Sequence, residues 1–319
     1  MAKQSLPTAP FLKVASAPHM HCGVSIKGMM STILVALLPA AAGAIYWYGM
    51  EAVRVMALSI ATAVIVEALC ARIMEKEIRV DDFHAVVTGL LFAFILPAGA
   101  EWWLVVAGSA ITMILGKMLW GNLGGAPINA IAVGWAFCVV SWPVQMNVDA
   151  TMLNTILVNP LSQLKYFGID YIADISMTDH LMGNQLGTLG AVQVGAILLG
   201  GIVLLARRII TWEIPVATVA SLLVVGGIYY SIDPTLYASP LFHLFTGSTM
   251  LAVFFLLPDF TSSPNTRGGK IVFGLMAGFL IILIRTYGQY PDGVLFAVLL
   301  ANMITPLCDM IKPKPFGAR

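Results

Sequence analysis

Few side chains in this chain could do chemistry, and most of those lie inside apolar stretches. Glu67 sits within Val64-Ile65-Val66-Glu67-Ala68-Leu69. An ionisable group in such a run is expensive and by default functional. It serves either as a coupling-ion ligand or proton carrier, or as a carboxylate paired with Arg72 or Lys76. Thr88 and Thr246 occupy two similar stretches. They either line a cavity between helices or bond the preceding turn. His84 and His243 begin those stretches, and capping or hydrogen bonding is the expected role for each. Gly187-Thr188-Leu189-Gly190 could offer backbone N–H groups to a phosphate at a helix N-terminus. The same glycines could instead let helices approach closely. Cys22, Cys70, Cys138 and Cys308 are far apart, so no iron–sulfur or zinc spacing exists and a redox cofactor is expected to be organic. The chain has no Walker loop, no dinucleotide-binding glycine pattern and no nucleophilic triad.

Apolar helices must position these groups. The chain is 59% hydrophobic and 10% charged, against about 25% charged in ordinary soluble domains. The N-terminal residues have no apolar core and do not read as a signal peptide. A spanning helix needs roughly 17–25 apolar residues. Ten stretches are candidates, several of them short: Ser31–Tyr48, Glu51–Arg72, Phe83–Pro97, Trp102–Leu119, Pro127–Pro143, Leu186–Ala206, Ile214–Tyr230, Ser239–Pro258, Ile271–Thr286 and Gly293–Met310. The expected class is an all-α integral membrane protein. Residues 1–30 and 311–319 are tails, 31–143 and 186–310 are five-helix halves, and 144–185 is an outside loop.

Charge orients the spans. With the N-terminus inside, only Arg54, Lys165 and Arg285 of the seventeen basic residues fall outside. Lys117 and Arg267 are expected to anchor the inside face, and Trp102, Trp103, Trp142 and Tyr290 the interfacial aromatic belt. The outside loop holds Asp149, Asp170, Asp174 and Asp179 against a single Lys165. The two halves share a pattern. Phe83-His84 precedes Thr88-Gly89 and Leu96-Pro97, and Phe242-His243 precedes Thr246-Gly247 and Leu257-Pro258. Both lie in the third span of a half, so five spans per half make the copies antiparallel. Such inverted repeats form sites near the midplane. Proline ending a short span points to an interior feature, because broken backbone is tolerated only against protein or a cavity.

Five stretches carry a resemblance over nearly the whole chain. They are Ala15-Ser16-Ala17-Pro18-His19, then Thr88-Gly89-Leu90-Leu91 with Pro97 and Trp102-Trp103, then Lys117-Met118-Leu119-Trp120-Gly121-Asn122-Leu123-Gly124 with Pro127 and Asn129. Pro258-Asp259 with Arg267-Gly268 follows, and last Tyr290-Pro291-Asp292-Gly293 with Ala301-Asn302 and Pro306-Leu307-Cys308-Asp309. The chain resembles the D subunit of the Rnf complex, a ferredoxin–NAD oxidoreductase that couples electron flow to Na⁺ or H⁺ translocation, and the B subunit of the sodium-pumping quinone reductase. The resemblance implies a bacterial inner-membrane protein with both termini cytoplasmic, partnered by subunits A, B, C, E and G and by lipid, with no nucleic acid. Nicotinamide and ferredoxin sites would belong to partners.

The resemblance also implies flavin mononucleotide (FMN) on a threonine of a stretch similar to Gly-Ser-x-Gly-Glu-Thr-Ser. Here that stretch is Gly187-Thr188-Leu189-Gly190-Ala191-Val192-Gln193, and the acceptor falls on Val192, which has no oxygen. Three readings stay open: noncovalent FMN held at Gly187, Thr188 and Gly190; attachment moved to Thr188; or no flavin. The first is favoured. A second flavin, riboflavin, is implied near Asn129 and Gly124, where Asn129 could equally be an interhelical hydrogen bond. The rival function is a flavin-free transporter or channel for a small solute or ion, built on the same inverted-repeat body.

Overall fold

The computed structural model describes residues 25–75, 80–121, 124–152, 157–172 and 177–311. Cys22, Pro18-His19, Lys76, Arg79, Asn122, Leu123, Asp174 and most of both tails lie outside them. Among the described residues every regular element is helical, so backbone groups are satisfied within each segment, as apolar surroundings require.

Among the described residues five helices are long and apolar enough to span a membrane: α1 (Ile26–Tyr48), α2 (Met50–Ile73), α4 (Trp102–Gly116, continued by a 3₁₀ turn to Trp120), α10 (Glu213–Ile232) and α13 (Arg267–Tyr287). Shorter apolar helices accompany them: α3 (His84–Phe94), α5 (Ala130–Ser141), α9 (Val194–Ala206) and α14 (Val294–Asp309). The described residues between α5 and α9 include the short helices α6 (Val148–Thr151), α7 (Pro160–Phe167) and α8 (Met177–Met182). The stretch 239–258 is broken into α11 (Pro240–Phe245), α12 (Thr249–Leu251) and a π turn over Ala252–Leu256. The architecture is that of a multi-pass membrane protein.

Helix α2 packs on α3 and α4, and α4 on α5. In the second half α10 packs on α11 and α13, and α13 on α14. The halves join through α1 against α9 and α5 against α14. Large apolar residues on the rim, such as Leu38, Ile65, Leu199, Val224 and Phe279, are exposed, which suits a lipid-facing surface. The two ends differ in charge. One, here the basic end, joins Lys117 to Glu67, Arg267 to Glu213 and Lys270 to Thr211. The other, the loop end, is covered by the segment containing α6 to α8.

Two apolar stretches depart from the helices expected. Leu186–Ala206 is helical only from Val194, because residues 186–193 fold inward to meet the end of α3. Leu189 N–H donates to Leu96 C=O at 2.8 Å and Gly190 N–H to Phe94 C=O at 3.0 Å. These bonds satisfy carbonyls that α3 leaves unpaired when it stops before Pro97. A side chain at Gly190 would come within 2.3 Å of the Phe94 ring, so only glycine permits this approach.

The second break, after α11, is closed by side chains instead. Thr246 is extended and Gly247 has φ +62°. Arg285 donates from Nη1 to His243 C=O at 2.6 Å and from Nη2 to Thr246 C=O at 2.9 Å. Asp292 accepts from Ser248 N–H at 2.8 Å and Ser248 Oγ at 2.7 Å. A cation thus faces the negative end of α11, and an anion faces the positive end of the helix that follows. The two are themselves 3.0 Å apart.

Candidate functional site at the loop end

The two breaks lie on either side of a cavity of about 240 Å³. Ile95 and Thr188 enter it from the first break, and Ser248 and Asp292 from the second. Trp135 and Val139 of α5 and Tyr290 form apolar wall. Its cover is built locally from asparagine caps. Asn147 accepts from Asp149 N–H at 2.9 Å to start α6, and Asn159 from Ser162 N–H at 3.4 Å to start α7, with Pro160 next to it. Asp149 then accepts from Ser162 Oγ at 2.5 Å.

Thr188 reaches this cavity, and its buried hydroxyl has no partner among the described residues. A buried hydroxyl without a partner is costly, so it is a place for a ligand to bond. Gly187 is buried beside it, its C=O accepting from Tyr48 Oη at 3.4 Å. The expected cradle of N–H groups from Gly187 to Gly190 is altered, since the Leu189 and Gly190 N–H groups are spent on α3. Val192 is 1% exposed and faces packing, not the cavity.

Asn129 and Gly124 lie at the other end. Asn129 caps α5 through Ile131 N–H at 3.0 Å and Ala132 N–H at 3.1 Å, and donates to Leu256 C=O at 3.1 Å, tying the halves together. It borders two small cavities of about 60 and 40 Å³ that His84, Thr88 and Asp259 also line. Both are smaller than the cavity at the loop end. Gly124 is exposed with φ +97° and nothing near its Cα face, so the structure does not bring it to Thr188.

Glu67 is 2% exposed and receives Lys117 Nζ at 2.5 Å. Among the described residues its partner is thus Lys117 and not Arg72, while Lys76 lies outside them; Lys117, expected as a surface anchor, is 2% exposed. The partners are fifty positions apart, which helical spacing could not reveal. Thr88 Oγ1 donates to His84 C=O at 2.9 Å, and Thr246 Oγ1 to Phe242 C=O at 2.7 Å. Both bond the preceding turn, and Thr88 in addition lines the small cavities. His84 and His243 sit at opposite ends of the bundle. At the basic end Asp259 accepts from Thr261 Oγ1 at 2.7 Å and Ser262 Oγ at 3.1 Å, yet burial outweighs these bonds and holds its carboxyl above the usual range.

Asp149 and Asp292 line the site and Arg285 pairs with Asp292, although the sequence marked them only as a loop acid, part of a shared motif and an outside cation. One signal was present: Arg54, Lys165 and Arg285 were the basic residues on the wrong side for orientation. Each has a local task. Arg54 pairs with Glu51 at 2.6 Å and donates to Ala100 C=O at 2.9 Å, while Lys165 donates to Arg285 C=O at 3.1 Å and to Gly288 C=O.

The model of the NQR2, RnfD, RnfE family matches residues 13–317. A protein of Colwellia psychrerythraea, named as the D subunit of an ion-translocating oxidoreductase complex, is 34% identical over 344 residues, 95% of this chain and 97% of its own length. Proteins of the same name from Yersinia enterocolitica and Cronobacter sakazakii are each 34% identical over 96% of this chain, and over 98% and 99% of their own lengths.

Proposed function

The chain belongs to the NQR2, RnfD, RnfE family, and from that membership we propose that it serves as the D subunit of an ion-translocating oxidoreductase complex. The match across residues 13–317, with relatives of that name aligned end to end, carries this conclusion and favours it over a solute transporter. In finer terms the complex is of the Rnf type, passing electrons between ferredoxin and NAD while Na⁺ or H⁺ crosses the membrane body. Subunits A, B, C, E and G are the partners, and they hold the nicotinamide and ferredoxin sites. The chain lies in a bacterial inner membrane with cytoplasmic termini, as ten spans in two inverted repeats. Support comes from the charge segregation, from the matching packing of α2–α4–α5 and α10–α13–α14, and from one broken stretch in each half. Glu67, Thr88 and Thr246 remain the candidates for the ion path.

The family implies a flavin, and Thr188 is better placed than Val192 to meet one. Thr188 offers an unpartnered hydroxyl to a cavity of about 240 Å³ with aromatic wall, whereas Val192 is buried and has no oxygen. We place noncovalent FMN there. Thr188 would donate its hydroxyl, and Trp135 and Tyr290 would exclude water from the ring. When bound, the flavin supplies the redox chemistry. The test is acid precipitation of the purified complex, a denaturing gel under ultraviolet light, and a flavin assay of the supernatant. A dark band with released FMN that is lost in Thr188→Val is expected. A fluorescent band at this chain's mass would mean covalent attachment. A dark band with no assignable flavin would remove the electron-carrier role and leave an ion-moving body.

A further inference from the structure

We infer that the loop end carries a second site, a pocket for a phosphate-bearing anion built from Lys165, Arg285 and His243. These three residues line a separate cavity of about 280 Å³, with Tyr237 and Tyr287 also on its wall. His243 is 7% exposed and Arg285 6%. Each carries a buried nitrogen, Nδ1 and Nε respectively, with no partner among the described residues. Such atoms are rare in native interiors and call for a partner.

The charge balance has the right sign. Asp292 neutralises Arg285 at 3.0 Å and spends its other oxygen on Ser248. No carboxylate lies within ion-pair distance of Lys165 among the described residues. The Lys165 ammonium has three donors, and two go to the carbonyls of Arg285 and Gly288. Burial holds Lys165 below the usual lysine range, a cost that an adjacent anion would relieve. A tetrahedral oxyanion suits an ammonium and a guanidinium placed together, since each bond is charge-assisted. Lys165 is also the single basic residue of an otherwise acidic segment. Tyr287 and Leu236, at the mouth, are 66% and 63% exposed beside the apolar rim of α13. That position suits a phospholipid headgroup, and soluble phosphate has the same chemistry.

The test uses the whole complex. It is taken from vesicles of phosphatidylethanolamine and phosphatidylglycerol into native mass spectrometry, and the delipidated complex is separately titrated with inorganic phosphate while its thermal unfolding is followed. A retained phospholipid that Lys165→Gln loses about tenfold, the worth of one charge-assisted bond, and that Lys165→Arg keeps, identifies a headgroup site. Saturable stabilisation by phosphate, absent in Lys165→Gln, with no retained lipid, identifies a soluble-anion site. Should Lys165→Gln not assemble, His243→Phe keeps a ring in place and must also lower retention or stabilisation. Equal behaviour of wild type and the variants in both experiments would overturn the site and leave Lys165 as a helix cap alone.

Discussion

At the residue scale the buried pair of Lys117 and Glu67 is decisive. Neither group meets water, and Glu67 Oε2 has no partner among the described residues. Removing the cation alone strands a charge, which costs about 3–5 kcal/mol, whereas replacing both partners with apolar groups is often neutral. Lys117→Met should therefore lower the unfolding temperature of the detergent-solubilised complex sharply, and the double variant Lys117→Met, Glu67→Leu should recover most of it. No recovery would mean that Glu67 is needed for something besides its partner. Asp259 gives a pH signature of the opposite kind from an ordinary ion-paired carboxylate. Its folded pKa is raised by burial, so the folded state holds the proton more tightly than the unfolded chain. Its contribution to stability is then full below the ordinary aspartate value and declines as pH rises through the raised one. Asp259→Asn should flatten that decline when unfolding temperature is followed from acid to neutral pH. An unchanged slope would place the titration elsewhere.

At the element scale the two broken stretches solve one problem by different means. The first uses backbone from a distant loop, and the second uses Arg285 and Asp292. The first solution depends on the absence of a side chain at Gly190. Gly190→Ala would push a methyl group into the Phe94 ring, and overpacking of this kind costs about 1–3 kcal/mol. Pairing it with Phe94→Leu should return part of the loss in thermal unfolding of the complex. If Gly190→Ala unfolds like wild type, the loop does not dock on α3 as described. This docking also explains why helix α9 is shorter than its apolar run. Hydropathy registers burial, and residues 186–193 are buried except for half-buried Thr188, but they are buried as loop against protein and not as helix against lipid.

At the scale of the molecule, the proposed inverted repeat predicts which end faces which side. Asp170 and Thr211 are both exposed, at the loop end and the basic end respectively. In a background freed of native cysteines, Asp170→Cys should react with an impermeant thiol reagent from outside sealed cells. Thr211→Cys should react only after the cells are opened. The reverse pattern, or reaction of both from one side, would break the ten-span topology. The clusters His84–Lys117 and His243–Arg285 would then lie near opposite faces, each with its cation at the end of the fourth helix of its half.

Composition and charge order determined by themselves that this is a helical membrane protein, because apolar runs and flanking lysines and arginines are properties of local sequence. The family resemblance was equally legible, since motif order survives without knowledge of contacts. Only the tertiary structure decided that Glu67 belongs with Lys117, that Asn129 spends its amide on a helix cap and on Leu256, and that Thr188 rather than Val192 meets the loop-end cavity. It also decided that Gly124 stands apart from Thr188 and that Arg285 closes a helix break. Apart from the local Asn129 cap, these are pairings across tens of residues, set by which helix faces meet. In a bundle that is apolar on nearly every face, hydropathy carries almost no information about that choice.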